Sequence, residues 1–168
     1  MRILGIDPGI AIVGYGVVDK EANKYKTVAY DAITTRAHTP LEQRLQLVYQ
    51  GVCMVIDEYK PEAMAIEELF FNNNAKTALT VGQARGVIIL AAVQKGVPVF
   101  EYTPLQVKQA LTGYGRASKG QIQQMMKSML GLSEVPKPDD VADALAIAVC
   151  HGNSMRFNSI KQFGGLML

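Results

Sequence analysis

The first apolar run, Arg2-Ile-Leu-Gly-Ile6, is stopped by Asp7-Pro8-Gly9. A short apolar run closed by turn residues predicts a buried strand, so Asp7 stands at a strand's exit. Ile12 to Val18, with Gly14 and Gly16 interspersed, and Tyr25 to Thr34 flank the polar stretch Asp19 to Lys24 and predict two more strands in a meander. The period then changes. Leu41, Leu45, Val48, Val52, Ile56 and Tyr59 recur every three or four residues up to Lys60-Pro61, the pattern of a helix with one apolar face. Thr39-Pro40-Leu41-Glu42 has the spacing of a capping box with proline at the first helical position, which places that helix's start there. Ala63 to Ile66 reads as a fourth, buried strand ending on Glu67-Glu68.

Asn72 to Asn74 offer caps for a long helix from about Ala75 to Gln94, rich in Ala and Gly and closed by Gly96. Val97 to Tyr102 predicts a fifth strand. Thr103 to Gln106 and Ser118 to Gln121 repeat the capping-box pattern and open two further helices. A last helix is expected from Pro138 or Asp139 to His151, with Val141, Leu145, Ala148 and Val149 among its apolar positions. Residues 152 onward lack periodicity, so the reading is one domain over residues 1–152 and a peripheral tail over 153–168. A three-strand meander followed by alternating helices and strands predicts an α/β protein with a mixed five-stranded sheet flanked by helices on both faces, the ribonuclease H-like fold.

Composition narrows the picture only a little. At 168 residues and 49% hydrophobic, the chain has material for one core. Its net charge of +2 does not announce a nucleic-acid partner, so any basic surface must be local. Cys53 and Cys150 lack the spacing of zinc ligands and fit reduced, buried thiols. With no signal-peptide core and no apolar run of about 18 residues, a soluble cytoplasmic protein without membrane association is expected.

Chemistry enters with the acids. Asp7 alone could cap a turn, Glu67 could be a solvated strand end, and Asp139 or Asp140 could cap the last helix. Together they carry more. Asp140 and Asp143 are three residues apart, so they project together from a helix's first turn. Asp143 runs straight into Ala144-Leu-Ala-Ile-Ala148, at the edge of the core. Burying an unpaired carboxylate is expensive, and a bound divalent cation removes that penalty. The ends of the first and fourth strands can lie side by side, with the last helix docked beside them. Oxygen-only ligands favour Mg²⁺ or Mn²⁺ over zinc, and two such ions about 3.5–4 Å apart suit in-line phosphoryl displacement.

At these residues the chain resembles the RuvC family of bacterial Holliday-junction resolvases. The matching segments are ILGIDPG at 3–9, GYGV at 14–17, AIEELFF at 65–71, VGQARGV at 81–87, PVFEYTPLQVKQA at 98–110 and DDVADALAIA at 139–148. They span nearly all of residues 1–150, in order. The resemblance implies a homodimer that binds a four-way DNA junction and makes paired, symmetric, metal-dependent nicks during recombination and repair. It also implies a RuvA–RuvB branch-migration complex as partner. The family's strand-one aspartate falls on Asp7, its strand-four glutamate on Glu67, and its two helix acids on Asp140 and Asp143. Asp139 would also share a helical face with Asp143, and the family's spacing selects Asp140 instead. Some relatives use histidine there.

The resemblance further implies DNA contacts. Phe70, three residues after Glu67, matches an aromatic that stacks on a base near the crossover, and Lys108 and Lys119 match basic positions near DNA. An isolated lysine is ordinarily a solvated charge, and neighbouring aromatics such as Phe70 and Phe71 are ordinarily core. Arg116, in Gly113-Tyr-Gly-Arg, could reach the backbone. Lys76 and Arg85 are weaker candidates, because the stripe Gly82-Gly86 marks their helix as a possible dimer interface. His38 and His151 match no catalytic position and are expected at the surface. Two other readings compete: an actin-like or sugar-kinase-like ATPase, which needs a second domain this chain has no room for, and a junction-binding module that has lost an acid.

Overall fold

The computed structural model describes residues 1–68 and 75–164, with side chains over 1–68 and 77–155. Five strands form one sheet: β1 (Arg2–Asp7), β2 (Ile12–Glu21), β3 (Lys24–Thr34), β4 (Ala63–Glu67) and β5 (Val99–Tyr102). Their order is β3-β2-β1-β4-β5, with β1, β4 and β5 mutually parallel and β2 and β3 antiparallel. Helices α1 (Leu41–Tyr59), α2 (Ala75–Gln94), α3 (Pro104–Thr112), α4 (Lys119–Met129) and α5 (Asp139–Gly164) complete the fold. This is the mixed, helix-covered sheet that the hydrophobic pattern predicts.

Side chains alternate between the faces of a strand, and the alternation sorts the sheet into two cores. Leu4, Ile6, Val13, Val17, Met64 and Ile66 pack with α1 and α2. Ile3, Val18 and Ala65 pack with α3, α4 and α5. Four residues on from Ile3 and two from Gly5, Asp7 belongs to the α5 face, and Glu67 follows Ala65 onto the same face. The strand period therefore delivers both acids to one side of the sheet.

On that side glycines replace side chains. A Cβ on Gly5 would lie 2.0 Å from the Ala144 carbonyl oxygen, and one on Gly14 would lie 2.1 Å from that of Asp140. A Cβ on Gly16 would run into the Leu145 side chain at 2.6 Å. Any larger residue would lift α5 off the sheet, so these three positions set how closely its first turns approach β1 and β2.

Several local expectations need correction. The cap of α1 is Pro40, with φ −51° and ψ 141° and no side-chain cap. Its extended backbone keeps it outside the helix, which puts Glu42 one position too early to close a box on Thr39. The boxes at Thr103 and Ser118 do form, each closed in both directions by Gln106 and Gln121. Helix α5 does not stop at His151 but continues to Gly164, through the boundary expected between residues 152 and 153. Asn153 bonds Tyr25 and the Ala110 carbonyl, which ties the start of that segment to the body of the fold. His151 is 1% exposed rather than at the surface. Its Nδ1 shares a 2.8 Å hydrogen bond with the Tyr102 hydroxyl, and its ring lies 4.4 Å from that of Phe100. His38 is exposed, as expected.

Helix α2 is more apolar than the run count suggested. Its window Thr77–Gln94 has mean hydropathy 1.3, enough by length and composition alone to cross a membrane. Ala84, Ile88, Ala91 and Ala92 spend part of that apolarity inside the core. Arg85 also ties this helix to the strand ends, through Glu67 and Glu101.

Candidate active site

Ile6 pairs with Ile66 across the parallel β1–β4 ladder, so the next residues, Asp7 and Glu67, leave adjacent strands side by side. Across the antiparallel ladder Asp7 stands opposite Gly14. Gly14 in turn touches the backbone of Asp140 and Val141. The missing side chain at Gly14 thus brings the first turn of α5 down beside Asp7.

The four carboxyl groups act on one another's charge. Burial, followed by the charges of Glu67, Asp143 and Asp140, pushes the Asp7 carboxyl up to about 8. Burial and then Asp143 raise Glu67. Asp143 is raised by burial, with Lys119 opposing. All four predicted acids share one neighbourhood, and their repulsion is incompletely compensated.

Sequence alone left Asp139 and Asp140 geometrically equivalent; the fold separates them. Asp140 adjoins Gly14 and acts on Asp7. Asp139 faces α4, where its carboxylate meets Lys119 at 3.6 Å and Lys137 at 3.5 Å. Lys119 Nζ also lies 3.0 Å from Asp143 Oδ2, and this contact raises the pKa of the ammonium.

A cleft of about 220 Å³ opens beside the acids, lined in part by Glu67, Asp143, Lys108 and Lys119. Both lysines that matched basic positions therefore share a cleft with two of the acids. Arg116 is exposed in the segment between α3 and α4. Phe70, Phe71 and Asn72 to Asn74 lie outside the described residues, as does the side chain of Lys76. Arg85 is otherwise engaged: its Nε donates to the Glu67 carbonyl at 3.1 Å and its guanidinium pairs with Glu101 at 2.5 Å. It braces the strand end that carries Glu67. Sequence reading missed this role and that of Gly5, Gly14 and Gly16, although glycines on alternate residues of a strand were a signal of close backbone approach.

Among the described residues no three His, Cys, Asp or Glu side chains converge closely enough to hold a metal ion as they stand. The donor set nonetheless fits a hard divalent cation. It is oxygen-only, and Asp7 is held protonated to about pH 8 by burial and by the charges of Glu67, Asp143 and Asp140, with Lys119 only partly opposing them. Positive charge placed among them would relieve that repulsion.

The family model for crossover junction endodeoxyribonuclease RuvC matches residues 3–151. The chain is 56% identical over 166 residues to crossover junction endodeoxyribonuclease RuvC of Clostridioides difficile, covering 98% of each. It is 60% identical over 164 residues to the one of Caldanaerobacter subterraneus, again covering 98% of each. Among solved structures, Thermus thermophilus RuvC in complex with a Holliday junction substrate superposes with a TM-score of 0.86 at 39% identity, over 94% of this chain and 96% of that one. The ribonuclease H-like fold is thus shared with RuvC at a level of identity that also carries the family. The acids at two strand ends and one helix start all lie within the matched residues, and the chain belongs to the RuvC family of crossover junction endodeoxyribonucleases.

Proposed function

We propose that this chain resolves four-way DNA junctions by paired, symmetric nicking during homologous recombination and repair, with Asp7, Glu67, Asp140 and Asp143 as its catalytic acids. The observation that carries the assignment is the shared electrostatic neighbourhood of these four carboxylates, assembled from β1, β4 and α5. RuvC enzymes are metal-dependent nucleases, and the acids are suited to hold Mg²⁺, with Mn²⁺ as a substitute and two ions per site. Bound there, the cations would neutralise the scissile phosphate and lower the pKa of an attacking water.

The protein's own part is to fix that arrangement. Gly14 and Gly5 hold α5 against the sheet, and Arg85 holds the end of β4. Lys108 and Lys119 line the cleft and are placed to meet phosphate oxygens as strands enter. Phe70 and Arg116 are assigned to DNA contact by the resemblance, with Lys76 the weakest of the set. The junction's two-fold symmetry calls for two active sites, which a two-fold homodimer supplies. Helix α2 is the candidate interface: Leu79, Leu90 and Val93 are 64%, 48% and 62% exposed on it, more than a lone apolar residue or two. Delivery of the junction by a RuvA–RuvB complex, and a cytoplasmic setting suited to the free thiols Cys53 and Cys150, follow from the same reading. All the residues assigned to the chemistry lie within 1–152, and residues 153–168 are assigned no part in it. The test is Mg²⁺-dependent nicking of a four-way junction set against a linear duplex of matched sequence.

A further inference from the structure

Lys119 occupies the first helical position of α4. A cation in a helix's first turn opposes the macrodipole, so its placement there does not serve α4. Its root is fixed, because Ser118 and Gln121 close a capping box around it, with Ser118 N donating to Gln121 Oε1 at 2.8 Å. From that fixed root the side chain reaches α5, where two carboxylates one turn apart hold its ammonium: Asp143 Oδ2 at 3.0 Å and Asp139 Oδ2 at 3.6 Å.

These two carboxylates have different fates under the proposed function. Asp143 is among the acids assigned to a divalent cation, and a cation there would compete with Lys119 and repel it. Asp139 faces away from Asp7, half exposed, at the rim where Lys119 lies. It has no other task in the site. We propose that Asp139 is a positioning residue for Lys119, retaining the ammonium at the cleft mouth when Asp143 is engaged, so that it stays in place to meet a DNA phosphate.

This proposal rests on the nuclease reading for its purpose but not for its main measurement. The order of the Lys119 ammonium can be followed by ¹⁵N relaxation of lysine Nζ in the full chain, without DNA, before and after adding Mg²⁺. The variants are Asp139→Asn and Asp139→Glu, with Lys137→Met as a control that removes a second cation from Asp139. Expected is a restricted Lys119 in the wild type with and without Mg²⁺, and a mobile one in Asp139→Asn once Mg²⁺ is present. Junction nicking by Asp139→Asn should slow about fivefold, the upper range for losing an exposed ion pair, while the melting temperature holds. Asp139→Glu should restore both order and rate, and Lys137→Met should change neither. The proposal is overturned if Lys119 is as mobile in the wild type as in Asp139→Asn, or remains restricted in Asp139→Asn with Mg²⁺. A wild type that fails to nick would instead count against the nuclease reading, whichever way Lys119 behaves.

Discussion

Gly14 lies beneath Asp140 so closely that a methyl group on it would come 2.1 Å from the Asp140 carbonyl oxygen. Gly14 is also the residue opposite Asp7 in the β1–β2 ladder. One missing side chain therefore sets the distance between an acid on the sheet and the acids on α5. Gly14→Ala should force the start of α5 outward. The expected cost is about 1–3 kcal/mol of stability, typical of overpacking. A larger loss is expected in nicking, about 10²-fold for a displacement near 1 Å. Chemical denaturation and single-turnover cleavage, run on the same preparation, separate the two effects.

Much of this arrangement is legible in the residues. Asp7 and Glu67 end apolar runs, and the strand period places each on the face of the small residue two positions before it, Gly5 and Ala65. The boxes at Thr103 and Ser118 are local, four-residue devices and form as read. The box at Thr39 fails because Pro40 takes the extended cap position, so the helix starts one residue later than the spacing suggests. His151 follows Ala148 by three residues, a spacing that pointed to the inner face of α5, yet the absence of a catalytic match led to a surface expectation that its burial overturns. What was not visible was a partner for its ring, which comes from Tyr102 on β5, far away in sequence. The separation of Asp139 from Asp140 was likewise undecidable from the chain alone, since it depends on Gly14 and Lys119 standing on opposite sides of the α5 start.

The carboxylate cluster predicts an unusual response to pH. Asp7 titrates near 8 in the fold against 3.8 for an unperturbed aspartate. Between these values the unfolded chain releases a proton that the folded chain keeps. Without divalent cations, the Asp7 contribution to stability should be greatest below the lower value and fall as pH rises toward the upper one. Asp7→Asn should flatten this part of the profile, and Mg²⁺ should flatten it in the wild type. Thermal melts from pH 5 to pH 8 in chelator and in Mg²⁺ check both.

His151 contributes with the opposite sign. Burial, with a smaller push from Lys20, lowers its imidazole to about 4 from 6.5. The unfolded chain therefore binds a proton that the folded chain refuses, and stability should be lost as pH falls from about 6.5 to about 4. Replacing His151 with Gln removes the titration while leaving a polar group near Tyr102. Urea midpoints of His151→Gln should fall less steeply over that window than those of the wild type.

Helix α2 offers a test of assembly. Leu79, Gly86 and Val93 recur at intervals of seven, the spacing of a helix seam, and nothing lies within 4 Å of a Cβ built on Gly86. The double variant Leu90→Glu with Val93→Glu should stay folded, because both side chains are exposed. In sedimentation the wild type should run at twice the 18.3 kDa chain mass, and the variant at the chain mass. Coordinated double nicking of one junction should give way to single nicks.

The central claim, that the clustered carboxylates cut junctions, is tested most directly by one cleavage assay. A labelled four-way junction and a linear duplex of matched sequence are incubated with Mg²⁺ and either wild type or Asp7→Asn. Expected is paired nicking of the junction by the wild type, little cutting of the duplex, and a junction left bound but uncut by Asp7→Asn, whose phosphate-contacting lysines are intact. An intact junction with the wild type, or equal cutting by Asp7→Asn, would contradict the assignment.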